Sequence, residues 1–491
     1  MRATILGVMG LLGCGTSEYA AECDLHPERC CDIRPSSPVC ADSGDAGEVG
    51  ETGCAGPTSE ACGKCGTRKR ACQPDGTFGA WGACEAEGEC AAGTTEAVSG
   101  AACDKALEKR SRTCSATCSW GATVCAMPKG WSKMADPPAG FAGRWRAAQT
   151  WTDTEYFVWG GSNGGGDAYY SDGARWNLKT NTWKPIAKAP TELAGRVGAS
   201  AVATGVDVIV WGGQTISGSP ATRNTGARYV AVRDEWVSMA VSPLKPRHSH
   251  AAAWTGSKMI VWGGHSGVAS DMLADGAIYD PGTDAWSTLP AAPIDGRSAP
   301  AATWTGEEFI VFGGTIGEIT GARDGAAFNP TTGLWRKIEP YSGPIRDLPG
   351  VTVGPKSVFV FGGFTLSGSL ELQNDGAWWD QASGWAPVTA LDGALLSPPA
   401  RVLPAAWCRG DRCWTWSGCN DGKTGKLDKL APAASGAVFE RTSGKWSPMS
   451  KDNEPAARAV GSVIDTKDFV VVWGGWDCAA AALGTGGVFV P

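Results

Sequence analysis

The chain of 491 residues carries 43 Lys and Arg against 50 Asp and Glu, and it is rich in Gly (69), Pro (30) and Trp (24) but holds only four His. The modest acidic balance, with no basic stripe, excludes nucleic acid as a partner. No apolar run reaches the length of a membrane-spanning helix. Short apolar runs punctuated by Gly and Pro point to an all-β protein with room for more than one domain.

The chain opens with MRATILGVMGLLGCG: Arg2, an apolar run from Ile5 to Leu12, then Gly13 and Cys14. This resembles a bacterial lipoprotein signal. The resemblance implies a signal peptide over 1–13 and an acylated Cys14, and so a lipid anchor in a membrane. It places the protein in the bacterial cell envelope, at the outer membrane or cell surface; a signal without acylation would leave it secreted. With Cys14 set aside, eighteen of the 19 cysteines remain, an even number free to pair. Fourteen of them lie between Cys23 and Cys125, where long apolar runs are scarce. Disulfides there replace a core, which requires an oxidising compartment. Cys62-x-x-Cys65 has no second half at zinc spacing, so disulfide is the reading adopted.

Residues 14–60 are small, polar and acidic and read as a tether with local disulfides. Residues 61–126 read as a Cys-rich stalk. RKRACQPDGTFGAWGAC (68–84) and RSRTCSATCSWGATVC (110–125) each run Arg-x-Arg-x-Cys, then Trp-Gly, then Cys. The pair resembles thrombospondin-type modules, in an altered element order; Trp81 and Trp120 are placed to stack on neighbouring Arg. Two duplicated disulfide knots forming a stalk is the simpler reading.

From Met127 onward the sequence is periodic. YFVWGG, VIVWGG, MIVWGG, FIVFGG, VFVFGG, CWTWSG and VVVWGG place a Gly, or Ser417 in the sixth copy, at 160, 212, 263, 313, 362, 417 and 474. Arg144, Arg196, Arg247, Arg297, Arg346, Arg401 and Arg458 lead a small-residue strand before each. Afterwards come Gly-Ala or Gly-Gly, one residue and an aromatic, then a turn that delivers Trp183, Trp236, Trp286, Trp335, Trp385 and Trp446. Each unit therefore predicts four strands. A continuously apolar strand such as MIVW needs cover on both faces. Radial stacking of four-stranded sheets provides that cover. The last unit ends at GGVFVP without a fourth strand, while GWSKMADPP upstream carries Trp131 and matches AWSTLPAAP. The upstream strand is therefore expected to complete the last sheet, closing a ring of seven blades and removing two free sheet edges.

These motifs, at a period of about 50 residues, resemble Kelch repeats over 127–491. The resemblance implies a seven-bladed Kelch-type β-propeller closed by the N-terminal strand. One departure is that only the third unit carries histidine near the first-strand position where Kelch units often show Arg-x-x-His. In the sixth unit WCRGDRCW sets Cys408 and Cys413 across a hairpin, a candidate disulfide. Cys419 and Cys478 follow the glycine positions of adjacent units and make a second candidate.

The hairpin turn at Gly256-Ser257 pairs His248 with His265 and puts His250 on the same face as His248. The three form a candidate cluster, with loop hydrogen bonding the blander role. The seven strand-leading arginines emerge at the Gly-pair end, which in Kelch propellers is often the ligand face. They are candidate ligand contacts, although most are expected to hold loops through backbone carbonyls. RGD at 409–411 is too short a match to carry an adhesion role. No catalytic residue, metal or cofactor is assigned. The function expected is a monomeric, non-enzymatic, surface-anchored binding protein for extracytoplasmic protein or carbohydrate ligands. The alternative is a sugar-acting propeller enzyme, epimerase- or mutarotase-like, using His248, His250 and His265.

Overall fold

The computed structural model describes residue 54 and residues 56–491, apart from 165–167, 217–220, 269, 318–319, 367–369, 389–397, 421–429, 434–435, 460–462 and 480. The expected signal peptide, Cys14 and most of the expected tether lie outside the described residues. The chain falls into two compact units, 1–96 with 112–122, and 97–111 with 123–491. In the second unit Leu107 and Met127 pack on the same apolar cluster, and the Ala106 N–H donates to Lys179 O at 2.7 Å.

In the first unit Cys54 joins Cys72, Cys62 joins Cys84, Cys90 joins Cys114 and Cys65 joins Cys118; in the second, Cys103 joins Cys125. The first and last cysteines of each related segment thus pair with cysteines upstream of it, Cys72 and Cys84 with Cys54 and Cys62, Cys114 and Cys125 with Cys90 and Cys103. The guanidinium of Arg70 lies 3.7 Å from the Phe78 ring and 4.4 Å from Trp81, and Arg112 lies 4.6 Å from Trp120. Cations on aromatic faces substitute for an apolar interior here.

The second unit is all-β: among its described residues the one helical element is a single 3-10 turn, Thr191–Leu193. Seven four-stranded antiparallel sheets follow one another along it, and the last takes its fourth strand from Gly130–Lys133. The third sheet shows the pattern. Ala251–Trp254, Met259–Trp262, Gly276–Asp280 and Ala285–Thr288 pair in order. Met259–Trp262 is wholly buried because sheets cover it on both sides, whereas the outermost strand is mostly exposed. The apolar clusters join sheet one to two, two to three, three to four, four to five, five to six and six to seven. A further cluster joins Phe469, Val471 and Trp473 of the seventh to Tyr156, Val158 and Trp176 of the first.

The Gly pair is what locks successive sheets. Gly263 and Gly264 have φ of +73° and +101°, and a Cβ on Gly263 would sit 3.0 Å from Arg297 O of the next sheet. Only glycine occupies such torsions freely while allowing so close an approach. The Gly264 N–H donates to that same Arg297 O at 2.8 Å, and the bond recurs from Gly161 to Arg196 O, Gly213 to Arg247 O, Gly363 to Arg401 O and Gly475 to Arg144 O. In the sixth sheet Ser417 takes positive φ, and its hydroxyl compensates by accepting the Arg458 N–H and donating to Arg458 O. Disulfides join Cys408 to Cys413 within that sheet and Cys419 to Cys478 between the sixth and seventh.

The late tryptophans form the outer lock. Trp183, Trp236, Trp286, Trp335 and Trp385 each donate an indole N–H to Ala135, Ala187, Ala240, Pro290 and Glu339 O, always four residues beyond the equivalent Trp of the preceding sheet. Each ring also packs on the aromatic before the preceding Gly pair, as Trp286 does on Trp211 at 5.5 Å and Trp183 on Trp473 at 5.3 Å.

Another regularity couples the third strand to the turn after it. In the first three sheets the strand aromatic has a polar handle, Trp176, Tyr229 or Tyr279, and the turn carries Asn181, Asp234 or Asp284 at positive φ to accept from it; Trp379 of the fifth sheet, with Gly384 in its turn, departs from this. Where the aromatic is Phe328 or Phe439, the turn residue is Gly333 or Gly444. Asp284 also accepts the Ala240 N–H at 2.8 Å. Asp284→Gly is expected to cost about 1–3 kcal/mol by orphaning the buried Tyr279 hydroxyl. Adding Tyr279→Phe should then cost almost nothing more, as a double-mutant cycle in denaturant would report.

Candidate functional site

All strand ends that carry the Arg, the Gly pair and the loops between second and third strands lie at one end of their sheets. The seven strand-leading arginines, expected as candidate ligand contacts, are buried to between 0 and 4 % exposure. Arg144, Arg196, Arg247, Arg297, Arg346 and Arg458 donate to the carbonyl of the first Gly of their own sheet, and Arg401 donates to Ser417 O. Arg144, Arg247, Arg297 and Arg346 add an ion pair to Asp172, Asp275, Asp324 and Asp375. Burial pushes Arg196, Arg401 and Arg458 down to about 10, which leaves them charged at neutral pH. These side chains clamp the main chain of their own sheets: the fork of donors is taken up by buried main-chain carbonyls, several of which also accept the N–H of the first Gly.

The histidines divide. His248 and His265 pair across the hairpin with ring centroids 5.2 Å apart. His250 leaves the group, because Ser249 between them has φ of +53°, which breaks the alternation of a strand. Its ring is buried between the second and third sheets, 4.8 Å from the Trp211 ring, with Nε2 2.8 Å from Ser200 Oγ. It also fills the space that a Cβ on Gly212 would need, 2.6 Å from its Cε1. His250 is a packing residue, so the expected three-histidine cluster reduces to a pair.

Positive φ recurs two residues after the leading Arg, at Arg146, Gly198, Ser249, Ala299, Leu348 and Leu403. Their main chains form a run of bonds around the axis: Gly198 N–H to Arg146 O, Ser249 N–H to Gly198 O, Ala299 N–H to Ser249 O and Leu403 N–H to Leu348 O. Arg146 is the charged member. Its side chain passes over Gly198, where a Cβ would lie 3.1 Å from the guanidinium, and donates to Ser249 Oγ at 2.6 Å; Nη2 lies 3.3 Å from His248 Nδ1. Among the described residues no carboxylate pairs with Arg146. The reading of the sequence missed it. The signal was present as the one charged side chain in a repeat position otherwise filled by Gly, Ser, Ala and Leu.

Burial, with Arg146 and His265 adding to it, pushes His248 down to about 3. His248 is thus a neutral acceptor toward Arg146, and the Gly267 N–H, 2.8 Å from His265 Nδ1, makes that nitrogen an acceptor too. Because the folded value is depressed below the ordinary 6.5, the unfolded chain takes the proton first as pH falls. The His248 contribution to stability is therefore complete above about pH 6.5 and is lost progressively toward pH 3. NMR titration is expected to find the His248 ring neutral throughout pH 5–8. A His248 midpoint near 6.5 would contradict this placement.

Below this mouth, inner strands of the sheets line an axial cavity of about 780 Å³ with small side chains such as Ala201, Ala252, Ala301 and Thr352. The RGD tripeptide is held internally: Arg409 pairs with Asp465 and donates to Thr466 O, and Asp411 accepts the Thr442 hydroxyl.

With this geometry in place, comparison with known proteins adds the following. Residues 146–363 match the family model of the KLHDC2/KLHL20/DRC7 Kelch-repeats domain. The matched residues run from the first through the fifth Gly pair, and the two later sheets repeat the Arg clamp of the earlier ones through Arg401 and Arg458. No curated protein matches the chain. Among solved structures, one described as "Structure of YjhT" is 14 % identical, covering 65 % of this chain and 99 % of its own with a TM-score of 0.47.

Proposed function

We propose that residues 127–491 form a seven-bladed, ring-closed Kelch propeller acting as a non-enzymatic binding module outside the cytosol. Its mouth at the Gly-pair end takes an acidic group of a protein or glycan ligand. The ring is supported by the Gly475 N–H bond to Arg144 O, the Trp183 bond to Ala135 O and the strand pairing of Phe489 with Trp131. The location is supported by seven disulfides among the described residues, which need an oxidising compartment. A lipid anchor at Cys14 would tether the propeller at the cell envelope.

One observation carries the binding reading: Arg146 is a largely enclosed cation at the axial mouth whose neighbours are neutral. A charge withdrawn from water is costly unless it is paired, and an incoming carboxylate or sulfate would provide the pair. Ile216, Val241, Val268, Ile345 and Leu348 are exposed around that end and offer apolar contacts. The test is a screen of the purified chain against arrays of acidic and neutral glycans and peptides. Acidic ligands are expected to be retained and lost in Arg146→Ala, with circular dichroism unchanged. Retention that ignores Arg146, or turnover of free sugars abolished by His248→Ala, would overturn the reading.

A further inference from the structure

The opposite end of the sheets holds a second cavity, which shares Thr303, Thr352, Val353, Asp465 and Thr466 with the axial one but does not include Arg146. It measures about 850 Å³ and lies among the hairpins that join first to second strands in the fourth, fifth, sixth and seventh sheets. That size falls within the range of small-molecule sites. Trp304 and Pro355 supply flat apolar walls, while Thr303, Thr352 and Ser357 supply hydroxyls. Arg409 and Asp465 stand in the wall as an ion pair, Arg409 donating to the carboxylate at 2.8 Å, and each side chain keeps about a third of its surface exposed. Burial raises the Asp465 carboxyl while Arg409 opposes the rise. The hairpin bearing Arg409 is stapled by Cys408–Cys413, so one half of the pair is presented on a rigid turn.

The chemistry of this lining narrows the occupant. The Arg409 and Asp465 charges cancel within the pair, and Lys467 is the one further charge in the lining, which the acidic peptide in the test below probes. The hydroxyls and the ion pair interrupt the apolar surface, so a long acyl chain finds no continuous wall. The innermost strands are sheet edges whose outward main-chain groups have no partner strand, and they add donors and acceptors toward the axis. Trp151, Trp254 and Trp304 end the inner strands of the first, third and fourth sheets at matching register, opposite Tyr156, Met259 and Phe309, and all three are half-buried. A half-exposed indole offers a flat apolar face, and an ion pair beside it offers acceptor and donor together. A pyranose ring presents a C–H face and a rim of hydroxyls that match both. We propose that this cavity binds the end of a neutral hexose oligosaccharide, stacked on Trp304 and hydrogen-bonded by Arg409 and Asp465.

The test is calorimetric titration of the full chain with cellohexaose, maltohexaose and mannohexaose, run beside an acidic peptide. At least one neutral sugar is expected to saturate, and Trp304→Ala and Asp465→Asn each to weaken it tenfold or more. Pro355→Trp, a turn substitution that fills the cavity, should do the same and keeps the question open to decision if Trp304→Ala fails to fold. Val232→Ser, at an exposed turn of the second sheet, should bind as the unaltered protein does. No saturation by any of the three sugars up to about 10 mM, or binding indifferent to Asp465→Asn and Pro355→Trp, would overturn the proposal. So would binding by the acidic peptide alone, an outcome that leaves the Arg146 mouth standing.

Discussion

Arg247→Met is expected to lower the unfolding free energy by about 2–3 kcal/mol, the cost of taking a charged donor away from buried carbonyls. The Arg247 side chain is 0 % exposed. It donates to Lys245 O at 3.0 Å, Gly263 O at 2.9 Å and Asp275 O at 3.2 Å, and it pairs with the Asp275 carboxylate. Met matches much of the volume but takes the side-chain donor from Lys245 O and Gly263 O, while Asp275 O keeps the Gly263 N–H; buried acceptors that lose a donor are costly. Lys restores the charge without the planar fork, so Arg247→Lys should recover less than half of the loss. Arg233→Met is the comparison: Arg233 is exposed and pairs with Glu235 at the surface, where a pair contributes about 0–1 kcal/mol. Urea midpoints measure all three. If Arg247→Met fell within about 1 kcal/mol of Arg233→Met, the arginines would not be the clamps described here.

Trp131→Ala carries a second large expectation, a loss of about 3–5 kcal/mol. The indole is 2 % exposed and packs on Trp416, Phe489 and Trp407 with centroids 4.9, 5.1 and 6.5 Å away. It holds the strand position that Trp183 holds in the first sheet, more deeply buried but without the indole bond that Trp183 makes to Ala135 O, and Trp183→Ala and Trp131→Ala should each lower the melting temperature. Removing residues 127–135 should be worse than either substitution. Phe489, Val488 and Gly487 would lose their partner strand, and an unpaired apolar edge invites association between copies. A Trp131→Ala protein as stable as the parent would refute the proposed ring closure, because the indole would then contribute nothing to the apolar cluster it shares with Trp407, Trp416 and Phe489.

Much of the architecture was legible from short-range pattern. The Gly pairs, the late tryptophans and the turn residues are spaced within one hairpin or one unit, and hairpin geometry then sets register, which is why His248 pairs with His265. Cys408 facing Cys413 followed from the same register. The turn chemistry that pairs Tyr279 with Asp284 and Phe328 with Gly333 was also present in the sequence, although composition and periodicity gave no reason to look for it.

By itself the sequence determined the all-β class, the repeat period, the strand order within each unit and the upstream strand that pairs with the last one. These depend on alternation, on turn residues and on which side chains recur, all local properties of the chain. The tertiary structure decided the fate of the polar side chains. Whether Arg247 meets water or Gly263 O depends on a carbonyl sixteen residues away. Whether His250 joins His248 or leaves it depends on positive φ at Ser249, a torsion that non-glycine residues seldom adopt and that no propensity announces. Arg146 reaches its neighbours Ser249 and His248 only because main chains from successive sheets are bonded around one axis. Those two partners of Arg146 stand more than a hundred positions along the chain, and that proximity exists only once the sheets have packed.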